Sequence, residues 1–212
     1  MRRLLCTVVT ILCSFTVFGY GSADIFNYNI PITWLGLDFS YMQFVGQASQ
    51  MQGANQFTSE DIRSKYIPAW NDLFINEKDK YNVAEAVNRR EVEYATEVTA
   101  SANKRITRNF FTTTSELLSE NVIAKTMSGY DFKNMDGIGL VFFIESMDKE
   151  KEEVTMWVTF VDMGTKKVLM TKQMKGIARG GMGFRNHWAW AFYRVVDDMN
   201  HYWRKWRREY AN

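Results

Sequence analysis

The segment from Ile138 to Met147 limits the fold more than any other. Apart from Glu145 and Ser146 it is apolar or glycine throughout. A strand with two apolar faces needs cover on both sides, so it belongs at the centre of a covered sheet. Asp148 to Glu153 is a charged turn. Val154 to Met163 is a second strand, with Val154, Met156, Val158 and Phe160 alternating. Gly164 and Thr165 turn the chain into a third strand, Lys167 to Lys175. Two successive hairpins predict an antiparallel three-strand meander. The chain then passes Gly176, Gly180, Gly181 and Gly183 into a long helix. There Trp188, Phe192, Val195, Met199, Tyr202 or Trp203, and Trp206 recur at three- or four-residue spacing. This amphipathic C-terminal helix should lie across the sheet.

Upstream, Ile32 to Tyr41 alternates, with Leu35, Leu37, Phe39 and Tyr41 on one face, and predicts a first strand. Gly46 to Phe57 is polar and reads as a loop. Ser59 reads as an N-cap with Glu60 and Asp61 in the first turn, and the helix should run to about Asn76. Pro68 lies inside it and predicts a kink or two shorter helices. Val83 to Arg90 holds a helical turn or two, and Val92 to Ala102 reads as a second strand. Ser115 to Met127 is helical, with Leu117, Leu118, Val122 and Ile123 on one side and Ser128-Gly129 as its stop. The element order is therefore β-α-β-α-β-β-β-α. It predicts an α+β fold with a mixed, mainly antiparallel sheet of about five strands covered by helices.

The N-terminus addresses the chain. Met1, Arg2 and Arg3 precede an uncharged, mostly apolar run from Leu4 to Phe18, shorter than a bilayer span of about 20 residues. Gly21 and Ala23 supply small residues for a leader peptidase, so cleavage is expected after Ala23. Residues 1–23 then form a secretory signal and 24–212 a single domain. A retained anchor is the rival reading. Lipid attachment is disfavoured, because Cys13 follows Ile11 and Leu12 and Cys6 comes too early. Both cysteines leave with the signal, so packing alone holds a chain that crosses an oxidising compartment. Without Arg2 and Arg3 the Lys+Arg count of 26 falls to the 24 of Asp+Glu. That balance argues against a nucleic-acid binder.

The segments Gly137 to Lys149, Val158 to Asp162, Lys167 to Leu169 and Gly180 to Trp188 together resemble an uncharacterised family of small exported proteins from Bacteroidetes-type bacteria. The resemblance covers the C-terminal part well and the rest loosely. It implies periplasmic or outer-envelope residence and carries no catalytic residues. The element order is also similar to the small α/β modules of the TolB N-terminal domain and of lipoprotein activators of peptidoglycan synthases, which bind proteins. That likeness is architectural only.

Few constellations carry chemistry. His187 and His201 lie about 21 Å apart on one helix and cannot share a metal ion. A metal site without Cys would need one His and distant carboxylates, so no metal and no cofactor is expected. Ser101/Lys104 and Ser146/Lys149 have the spacing of serine acyl-transfer enzymes, but not their context. Asp131, Asn134, Asp136 and Gly137 approach a calcium loop, but Phe132 and Phe143 occupy its first and twelfth positions. An Asp-Gly turn feeding the central strand is the plainer reading. Gly180, Gly181 and Gly183, flanked by Arg179 and Arg185, precede a helix. With Asn186 they could hold an anion or a partner on backbone N–H groups, or simply let the chain turn. At the C-terminus, Arg204, Lys205, Arg207 and Arg208 surround Trp203 and Trp206. They read either as a membrane-surface or anionic-polymer contact, or as cations at a helix end with the tryptophans packed inward, which is favoured. Asp38, Glu145 and Asp162 lie in or at the ends of strands, where they could share a cleft. No residue is assigned a catalytic role. The expected function is a non-catalytic binding or assembly module recognising an envelope protein or polymer. The alternative is a small-molecule or anion binder, or an enzyme, using a cleft near residues 180–185.

Overall fold

A computed structural model describes residues 19–46, 58–114 and 116–211. The signal segment up to Phe18, most of the Gly46 to Phe57 loop, and Ser115 lie outside the described residues. The strands are β1 Ile32–Asp38, β2 Gln43–Val45, β3 Glu93–Tyr94, β4 Phe111–Thr112, β5 Ile138–Asp148, β6 Glu153–Asp162 and β7 Val168–Ile177, all in one sheet. β5 is central, as its composition demands, and all 11 of its residues are buried. On one side β5, β6 and β7 form the expected antiparallel meander. On the other side two strands share the edge of β5 end to end. β1 pairs with Ile138 to Phe143, and β2 pairs with Ser146 to Asp148. β3 flanks β1 and β4 flanks β2. Seven strands thus occupy five lanes: β3/β4, β1/β2, β5, β6 and β7.

The expectation of a mainly antiparallel sheet is corrected. The sheet is mixed, and four of its six strand pairings are parallel. Apolar periodicity carries no information about strand direction. The chain passes through helices between β2 and β3, between β3 and β4, and between β4 and β5. Such crossovers deliver parallel neighbours.

The helices are α1 Ser59–Asp61, α2 Ile67–Asn76, α3 Val83–Ala86, α4 Glu97–Asn103, α5 Glu120–Ser128 and α6 Gly183–Tyr210. Thr58, not Ser59, caps α1. Its hydroxyl accepts from Asp61 N at 3.0 Å, and Thr58 N donates to the Asp61 carboxylate at 2.9 Å. A π turn, Ile62–Tyr66, joins α1 to α2, and Pro68 follows it directly. Asp61, Ile62, Tyr66 and Ile67 all keep helical dihedrals, so the run from Ser59 to Asn76 is continuous, and the irregularity expected at Pro68 takes the form of a shifted hydrogen-bond ladder rather than two separate helices. The strand expected over Val92 to Ala102 is corrected as well: only Glu93–Tyr94 pairs, and α4 follows. The β-branched residues there favour a strand. The buried positions Ala95, Val98, Thr99, Ala102 and Asn103 are nevertheless spaced by three and four, which is helical. α5 starts later than expected, at the Ser119 cap, and leaves Leu117 81% exposed.

Two apolar layers cover the sheet. α2, α3, α6 and a 3-10 turn, Ser22–Phe26, pack on one face. α4 and α5 pack on the other. β1 serves both layers. A register shift between Trp34 and Gly36 places Leu35 with α4 and α5, while Leu37 and Phe39 join the larger layer. The expectation that Leu35, Leu37 and Phe39 share one face fails on this bulge. α6 sits very close to β7. A Cβ on Gly176 would lie 2.1 Å from the carbonyl oxygen of Ala191, so this strand position admits only glycine.

Candidate functional site

β1 ends at Asp38 and its lane resumes at β2. The neighbouring lane is interrupted between β3 and β4. Both outer lanes are therefore broken alongside β5, and backbone groups of β1 lack a strand neighbour there. Side chains from helices take over. Thr99 Oγ1 donates to Leu35 O at 2.7 Å. Leu37 N donates to Asn71 Oδ1 at 2.7 Å, and Phe39 N donates to Asn103 Oδ1 at 2.8 Å. The carbonyl of Leu37 accepts from Asn71 Nδ2 at 3.2 Å and Asn103 Nδ2 at 2.9 Å. These three buried polar residues satisfy groups that would otherwise be orphaned.

Asp38 stands at the start of the break and is fully buried. Its Oδ1 accepts from Ser40 N at 2.6 Å, and the Tyr130 hydroxyl donates to its Oδ2. Burial pushes its carboxyl up to about 6, while the Ser40 hydrogen bonds and the charge of Arg105 act in the opposite direction. Above this pair the broken lanes open as a groove of about 640 Å3, lined by residues that include Ser40, Tyr41, Arg105, Arg108, Lys125 and Tyr130. Arg105, Arg108 and Lys125 are exposed, and none forms a salt bridge among the described residues. Arg108 is anchored by donating to Met42 O, and Tyr41 Oη lies 2.8 Å from Thr126 Oγ1. The result is a polar floor with three cations at its rim that enter no salt bridge among the described residues. A larger hollow, about 770 Å3, lies beside Tyr28 and Arg89. There the guanidinium is already committed to the carbonyls of Ile25 and Asn27, both at 2.8 Å.

Asp38, Glu145 and Asp162 do not work together. Glu145 accepts from the Trp157 indole and from Gln173 Nε2 at 2.9 Å. Asp162 pairs in register with Ile138, at the opposite end of β5 from Glu145, and caps the turn into β7. In the glycine segment, Gly181 and Gly183 adopt φ of +72° and +82°, and Gly180 packs against the Trp190 ring. Arg185 faces Glu77 at 3.8 Å and donates to Asn186 Oδ1 at 3.1 Å, while Asn186 Nδ2 donates to Met182 O at 3.2 Å. These side chains are thus engaged with one another and with α2. Gly181 and Gly183 border a hollow of about 180 Å3 with Lys149, Glu152 and His187. Burial, helped by Lys149, lowers the His187 imidazole below its ordinary range, with Glu152 opposing.

At the C-terminus Trp203 and Trp206 are each 4% exposed, while Arg204, Lys205, Arg207 and Arg208 face outward. Trp203 packs on Phe26 at 4.9 Å and Phe160 at 6.0 Å. Both tryptophans are part of the core, in line with the favoured reading of inward packing, and only the cations of this segment lie at the surface. Ser101 and Lys104 lie on and just after α4, not on a strand, and Ser101 Oγ bonds Glu97 O at 2.8 Å. Asp136 Oδ1 accepts from Gly137 N at 2.8 Å, in the turn that feeds β5. Among the described residues, no group of three or more His, Cys, Asp or Glu side chains could hold a metal, and no helix is long and apolar enough to cross a membrane. Sequence reasoning missed Arg105, Arg108, Lys125 and Tyr130. The basic pair around Ile106 and Thr107 was visible, but the strand expected over Val92 to Ala102 left it without a surface. Comparison with known proteins finds no family model, no curated protein and no solved structure that matches the chain.

Proposed function

We propose that this is an exported, non-catalytic binding module of the cell envelope, and that its contact surface is the groove over Asp38. The observation that carries the reading is the rim of Arg105, Arg108 and Lys125, three cations gathered around one groove with no salt bridge among the described residues. Guanidinium groups match carboxylates in geometry as well as charge, so the partner is expected to present an acidic segment. Asp38 and Tyr130 hold the floor rigid rather than react, since each satisfies the other below the surface. Export rests on the basic N-terminus, the apolar run and the small residues after it.

The test is affinity capture from envelope extract of the host. The wild type should retain a stoichiometric partner that is released by salt. The double variant Arg105→Glu/Lys125→Glu should lose it, and Arg204→Glu/Lys205→Glu should keep it. Retention by both variants would remove the groove from the reading. The alternative, a small-molecule or anion binder at residues 180–185, is favoured by one observation, the hollow shared by Gly181, Gly183 and His187. Arg185→Ala would then weaken anion binding.

A further inference from the structure

The chain from Tyr20 onward is built into the domain. Tyr20 packs half-buried against the larger apolar layer, and its backbone nitrogen donates to Asp162 Oδ2 at 2.8 Å. Asp162 is 1% exposed. Its other oxygen accepts from the backbone of Gly164 at 2.9 Å and Thr165 at 3.0 Å, and no Lys, Arg or His among the described residues pairs with it. A buried carboxylate without a counter-charge is costly. The next residues are equally committed. Gly21 N donates to Asp24 Oδ2 at 2.7 Å and Asp24 N donates to Gly21 O at 3.1 Å, which opens the 3-10 turn Ser22–Phe26. Ile25 and Phe26 are buried.

Cleavage after Ala23 would cut inside this turn and discard Tyr20 and Gly21. Four residues earlier the same spacing is held by Val17, the penultimate residue of the apolar run, and Gly19, which puts a small residue directly before the bond. We propose that the chain is processed at the Gly19–Tyr20 bond, and that the α-ammonium group released on Tyr20 is the counter-charge of Asp162. Hydrolysis adds one water across the bond. Gly19 departs with the carboxylate, and the Tyr20 amine takes up a proton at neutral pH. The inference rests on the export reading. It also explains why the buried Asp162 forms no salt bridge with a cationic side chain among the described residues: the chain end supplies the charge.

The test uses the full precursor in an exporting bacterial host, with cell fractionation, intact mass and N-terminal sequencing. The exported product should begin at Tyr20. An exported product beginning at Ser22 or Asp24 overturns the processing point and leaves export standing. A chain still beginning at Met1 and confined to the cytoplasm overturns both. The pairing has its own readout, the pH dependence of acylation of the wild-type α-amine. Beside Asp162 it should titrate well above the ordinary α-amino range of about 8. Titration at or below about 8 overturns the pairing.

Discussion

Asp38 holds its proton where an exposed aspartate would lose it. Its carboxyl titrates at about 6 against 3.8 for the exposed group. Between those values the folded chain binds a proton that the unfolded chain has released. The stability contributed by this group therefore falls as pH rises from about 4 to about 6, by on the order of 3 kcal/mol, and is level above that. Asp38→Asn should remove this slope, because the amide never ionises and keeps an acceptor for Ser40 N. Urea midpoints of wild type and variant at about pH 4 and about pH 7 check it: their difference should change with pH in the stated direction. Asn103 carries a different burden. Asn103→Ala leaves Phe39 N without its acceptor and Leu37 O with one donor fewer. Chemical denaturation should show a loss of about 1–3 kcal/mol for the buried group left unpaired.

The elements differ in how openly the sequence declares them. β5, β6, β7 and α6 were legible because both-face apolarity, alternation and three-to-four spacing each admit one reading. α4 was not, since its Val and Thr content favours a strand while its burial pattern is helical. Strand direction was hidden as well, because it depends on what the connections do rather than on any residue in the strand. The groove was hidden for the same reason: Asp38 was visible as a strand-end acid, but Arg105, Lys125 and Tyr130 reach it only once the two outer lanes break. The seating of α6 yields its own prediction. Gly176→Ala sets a methyl against the Ala191 backbone, which cannot rotate away, and should cost about 1–3 kcal/mol in denaturant titration. Trp203→Ala should cost about 3–5 kcal/mol by empties left between Phe26 and Phe160.

For the molecule as a whole, balanced charge puts the burden of recognition on local arrangement. Binding by three rim cations should weaken as salt rises, whereas the folded state, held by two apolar layers and no disulfide in residues 24–212, should not. The broken outer lanes also decide how copies can add to one another. β3 and β4 are two residues long, too short to template a further strand, while β7 has ten residues and a single strand neighbour among those described. Treated as a polymer, the sheet has one growing end and one dead end. Two copies joining through β7 consume both growing ends and present only dead ones. Sheet-to-sheet association therefore terminates at a pair, and concentrated protein should scatter light as nothing larger than dimers.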